Sequence, residues 1–105
     1  MVMIISASAL AADPSQYSPQ LIFKNWALSG CLSHALHSED AERAAAAYVE
    51  FGTTPIEGYA EGSKLIEKFL KKDYVAKEGG TLHTMKCIDL FHSKELDVLT
   101  HKYTK

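Results

Sequence analysis

Apolar residues in this chain recur at intervals of three and four, and from residue 19 to residue 103 almost every such run can be wound onto one face of a helix. No stretch alternates apolar and polar residues among valine, isoleucine and threonine, and no Asn-Gly type hairpin turn occurs. Five helices are predicted. The first runs from about Pro19 to His37, with Ser18 as N-cap and a proline where the backbone N–H has no intrahelical partner. Its buried stripe reads Leu21, Ile22, Leu28, Cys31, Leu32, Ala35 and Leu36, with Trp26 at the edge. The second starts at Ser38, carries Glu39, Asp40 and Glu42 in its positive first turn, and stops at Gly52, an expected left-handed C-cap.

The third helix is expected to be capped by Thr54, with Pro55 in its first position. Gly58 and Gly62 lie inside it, and each costs about 1 kcal/mol relative to alanine. Either another part of the chain approaches the backbone closely there, or the helix begins properly only at Ser63. Leu65, Ile66, Phe69 and Leu70 form its apolar side. Gly79-Gly80 marks a turn. Thr81 is expected to start a fourth helix with Leu82, Met85, Ile88 and Phe91 facing inward. Ser93 caps a fifth, ending near Tyr103, with Leu96, Leu99 and Tyr103 buried. The fold class is therefore all-α, a single compact bundle of about five helices.

The chain has 105 residues, 47% apolar and 23% charged, which suits one modest soluble domain. A formal net charge of -2 offers no basic surplus for a phosphate backbone, so nucleic acid is not an expected partner. Residues 1–11 differ in character. "MVMIISASALA" is an apolar run closed by an A-x-A triplet, the pattern that signal peptidase reads, though without the usual preceding Lys or Arg. It is too short to span a bilayer. Residues 1–11 are expected to be the remnant of a signal peptide and residues 12–105 the helical domain, working in an oxidising compartment outside the cytosol with no membrane contact. The alternative is an apolar N-terminal segment packed on the fold.

Export changes the reading of the two cysteines. An even count in an oxidising compartment reads as a disulfide, so Cys31 and Cys87 are expected to be bonded, joining the first and fourth helices. Such a bridge closes more than half the chain and is worth about 4 kcal/mol in the chain-entropy account. The competing role for Cys87 is a nucleophile with His92 as its base. Five positions on one helix rotate those side chains about 500° apart, onto different faces. No glycine-rich phosphate loop, paired-carboxylate motif or G-x-S-x-G is present. His34 and His37 can share a helix face, but no third ligand stands at a motif spacing, so neither metal nor cofactor is expected. The chain reads as a non-enzyme.

Two blocks, "LIFKNWALSGCL" and "MKCIDLFHSKELDVL", resemble the periplasmic immunity proteins that neutralise amidase effectors of bacterial type VI secretion, specifically the fourth amidase–immunity family. The resemblance spans the chain after residue 11, while the stunted leader departs from the full signal peptide of the family. It implies an all-helical homodimer holding two effector molecules in a 2:2 complex. It also implies that the effector is a cysteine amidase cutting peptidoglycan stem peptides between D-glutamate and diaminopimelate, and that the immunity protein occupies its substrate groove. The expected contact residues are Glu57, Tyr59, Glu61 and Lys64, where an exposed aromatic and acidic side chains would meet the amidase's histidine or basic rim. The alanine run on the second helix, with Ala44, Ala45 and Tyr48, is the expected dimer seam, against the alternative of close packing within the chain. The other function considered is a small periplasmic helical module binding a ligand or metal.

Overall fold

The computed structural model describes residues 12–105, and the expected signal remnant lies outside the described residues. After a 3-10 turn at Pro14–Gln16 come five helices: α1 (Pro19–Leu36), α2 (Glu39–Phe51), α3 (Ile56–Leu70), α4 (His83–Phe91) and α5 (Lys94–Tyr103). The all-α class is as expected. The only β feature among the described residues is one isolated bridge between Val75 and Thr81.

Three helix starts follow the serines. The hydroxyl of Ser18 accepts from the Leu21 N–H at 3.1 Å, Ser38 from Ala41 at 3.1 Å and Ser93 from Leu96 at 3.0 Å. Each satisfies one of the orphan donors of a helix's first turn. The helix ends depart from expectation. His37 takes the left-handed conformation that closes α1, at φ 52°. Gly52 does not: at φ -88° and ψ 168° it is extended, and its N–H reaches the carbonyls of Tyr48 and Val49. Pro55 is itself extended and is the N-cap, so α3 starts at Ile56 and Thr54 makes no cap.

The core is centred on α1, which touches all four other helices. That explains why a narrow stripe was the wrong picture for it. Phe23, Ala27 and Cys31 are fully buried and Trp26 sits inside the core rather than at its edge, whereas Leu21 and Leu36 are exposed. A helix enclosed on several sides buries a broad arc. On α3 the expected Leu65, Ile66 and Phe69 are buried. On α5, Leu96 is joined by Thr100, whose hydroxyl donates to the Leu96 carbonyl.

α4 is turned relative to the expected face. Leu82, Met85 and Ile88 are exposed, while Lys86, Cys87 and Leu90 are buried. The cause is covalent: Cys31 and Cys87 are bonded, with Cα atoms 5.5 Å apart, so position 87 must face α1. Lys86 then lies over α3, its stem buried and its ammonium donating to the Leu70 carbonyl at 2.8 Å, where it satisfies an otherwise open acceptor at the end of that helix. Thr81 is not helical because it pairs with Val75, and α4 starts two residues later.

The two glycines of α3 mark close approach, not a late start. A Cβ on Gly62 would stand 2.5 Å from Cζ3 of Trp26, and one on Gly58 would stand 3.0 Å from Cβ of Tyr103. The backbone of α3 is thus the surface on which α1 and α5 rest.

Candidate functional site

α1 and α5 both pack on α3, at Gly62 and at Gly58, and the outward edges of α3 and α5 face each other across a surface groove of about 700 Å³. Helical spacing builds both walls. Glu61, Lys64, Leu65 and Lys68 line it from α3, and Lys94, Glu95, Val98 and Leu99 from α5, each set repeating at three and four. Leu65 is buried at its base, Leu99 is half-buried, and Val98 is 58% exposed.

The charges around this apolar strip are unevenly used. Lys68 pairs with Glu95 at 3.1 Å across the groove. That contact holds the Glu95 carboxyl below its ordinary range. Glu61 accepts a hydrogen bond from the Tyr103 hydroxyl and pairs with Lys102 at 3.8 Å. The Tyr103 bond comes first in lowering the Glu61 carboxyl, with the Lys102 and Lys64 charges adding to it; reciprocally, Glu61 pushes the Tyr103 phenol up. Lys64 and Lys94 make no ion pair among the described residues.

The expected contact residues divide. Glu61 and Lys64 line the groove, and Glu57, one turn earlier on the same edge, is exposed. Tyr59 points to the opposite side. Its ring is edge-on to Trp26 at 4.8 Å and 6.0 Å from Phe23, and its buried hydroxyl has no hydrogen-bond partner among the described residues. It is half-buried, not the exposed aromatic that was expected, because two positions along a helix turn a side chain about 200°. The α5 wall went unread in the sequence. Its signal was Val98, an apolar residue outside the Leu96–Leu99–Tyr103 stripe.

On α2, Ala45 and Tyr48 pack against the core within the chain, and the Tyr48 hydroxyl accepts from the Asn25 amide at 3.4 Å. Ala44 is half-buried. His34 and His37 are exposed on and just after α1, and no three His, Cys, Asp or Glu side chains gather around a metal-sized space among the described residues. Both cysteines are bonded to each other and fully buried, so Cys87 presents no thiolate. Nor is any helix among the described residues long and apolar enough to cross a membrane.

A disulfide thus ties the helical scaffold, and a charged, apolar-floored groove lies on its surface. Residues 21–100 match the profile of Tai4, the type VI secretion system amidase immunity protein, and the chain belongs to that family. It is an immunity protein, not an enzyme. The fold is similar to a chain of the effector–immunity system Tae4/Tai4 from Salmonella typhimurium, at 34% identity and a TM-score of 0.82 over 90% of this chain and 100% of that one. It is also similar to a chain of the Tae4–Tai4 complex from Enterobacter cloacae, at 29% identity and 0.75 over 86% and 96%. A chain from a study of type VI-secreted toxins and self-resistance proteins in Serratia marcescens matches at 29% and 0.77 over 90% and 84%. A comparison with curated protein sequences finds no match.

Proposed function

We propose that this protein binds a type VI secreted amidase in the periplasm and blocks it by covering its substrate groove with the outward edge of α3. The observation that carries the reading is the groove between α3 and α5: two facing rows of charged side chains around an exposed apolar strip, on a chain of the amidase immunity family. Similar chains come from effector–immunity structures, which supports an amidase as the partner. Glu57, Glu61 and Lys64 form the expected contact row, and Tyr59 supports it from behind by packing on Trp26. The target is the peptidoglycan stem peptide bond between D-glutamate and diaminopimelate that the family resemblance implies. A standard interface buries about 800 Å² per partner, several times the footprint of one groove, so the contact extends beyond it.

The disulfide and the A-x-A-terminated leader support the periplasmic address, with residues 12–105 as the working domain. The assembly is proposed to be 2:2, with α2 at the seam between two copies. Since Ala45 and Tyr48 are occupied within the chain, that seam would use Ala44 with the exposed Val49 and Phe51.

Bacteria carrying the amidase in their periplasm test this reading. Co-expressed immunity protein sent to the periplasm should prevent lysis, and the same chain held in the cytoplasm should not. Lysis at an unchanged rate with the exported chain present at equal abundance contradicts the proposal.

A further inference from the structure

The electrostatics of the groove differ from what its acidic residues suggest. Glu61 is already paired with Tyr103 and Lys102, and Glu95 with Lys68. Among the described residues, Lys64 on one wall and Lys94 on the other make no ion pair, though the Lys64 charge still bears on Glu61. The lining holds three lysines against two glutamates, although the chain as a whole carries a net charge of -2. Between the two free lysines lies hydrocarbon: Val98, more than half exposed, above Leu65 and Leu99. An exposed apolar floor with unpaired cations on both rims complements a partner element of opposite character.

We infer that this groove seats an apolar side chain of the amidase flanked by carboxylates, the hydrocarbon resting on Val98 and the carboxylates meeting Lys64 and Lys94. The inference rests on the proposed function and specifies the chemistry of the partner surface. It reverses the simpler expectation that acidic residues of this protein reach for a basic rim on the amidase. A glutamate whose charge is already satisfied gains little from a second cation, whereas an unpaired lysine at the edge of a dry contact gains an ion pair as water leaves. Lysines on the rim also steer the encounter, so part of their effect lies in the association rate.

Calorimetry and stopped-flow binding with a purified Tae4-type amidase from the bacterium that carries this gene test the inference. The Lys64→Glu/Lys94→Glu double variant should bind about tenfold or more weakly, mainly through slower association, and should lose the fall in affinity that added salt produces in the wild type. Val98→Trp fills the groove and should weaken binding by a factor on the order of 30, chiefly through faster dissociation. All three positions are on the surface, and circular dichroism melts confirm that each variant is folded. If the double variant is misfolded, Val98→Trp and the salt dependence of the wild type decide the matter. Wild-type affinity for all variants, with a salt-independent wild type, overturns the inference and leaves the proposed function standing. Failure of the wild type itself to bind the amidase overturns both.

Discussion

Gly62 lies against the six-membered ring of Trp26, and its hydrogen is the reason α1 and α3 can meet there. The helix would gain about 1 kcal/mol of propensity from alanine at that position, but the added Cβ would stand 2.5 Å and 2.9 Å from two ring atoms of Trp26, which is held in the core. Overpacking of a dense interior costs about 1–3 kcal/mol, so it wins. Gly62→Ala should therefore lower the unfolding free energy in urea, and a more stable variant would show that the ring moves freely. Tyr59 gives the opposite sign. Its buried hydroxyl has no partner among the described residues, and an orphaned polar group costs about 1–3 kcal/mol. Tyr59→Phe should raise stability by about 1 kcal/mol in the same assay and leave amidase binding unchanged; weakened binding would mean that the hydroxyl faces the amidase after all.

At the scale of the element, α5 is held to α3 by Tyr103, Glu61 and Lys102, and by Lys68 and Glu95. The carboxyls of Glu61 and Glu95 lie below their ordinary value of 4.5 in the folded protein, so they release protons more readily there than in the unfolded chain. Their contribution is present above pH 4.5 and is lost as pH falls through the folded values. Tyr103 lies above its ordinary value of 10.0, so its contribution is present below pH 10 and is lost as pH rises through the folded value. Thermal melts should be most stable between these limits and decline on both sides. Tyr103→Phe should lessen the decline on both sides, leaving on the alkaline side the part that the raised Tyr74 phenol contributes, and an unchanged profile would remove this triad as the tie between the helices.

The elements were largely legible in the sequence because local chemistry defines them. Ser18, Ser38 and Ser93 announce helix starts through hydroxyls that bond three residues ahead, within the same turn. Faces were less legible, because a face is chosen by what lies opposite it. Leu82, Met85 and Ile88 make a good stripe on α4, yet the bond at Cys87 turns them outward. The α1 stripe was too narrow because four neighbours surround that helix. Of the groove, Glu61 and Lys64 on α3 were among the expected residues and none on α5 was, since a groove belongs to two helices with all of α4 between them in sequence and periodicity within one of them does not contain it.

At the scale of the molecule, one covalent link joins α1 to α4 across a sequence separation of 56 residues, at the centre of the core. Both sulfur-bearing residues are fully buried. The Cys31→Ala/Cys87→Ala double variant should lose about 4 kcal/mol of unfolding free energy, measured in denaturant, from unfolded-chain entropy together with a small packing loss. A loss under about 1 kcal/mol would mean that helix packing alone defines the native state. The scaffold presents the α3–α5 groove only while that packing holds, so protection should weaken in parallel with stability. The most direct test of the whole account is a titration of purified amidase with this protein while release of cleaved stem peptide is followed. The account predicts that activity falls in proportion to added protein and vanishes at one chain per amidase; full activity in the presence of excess folded protein would contradict it.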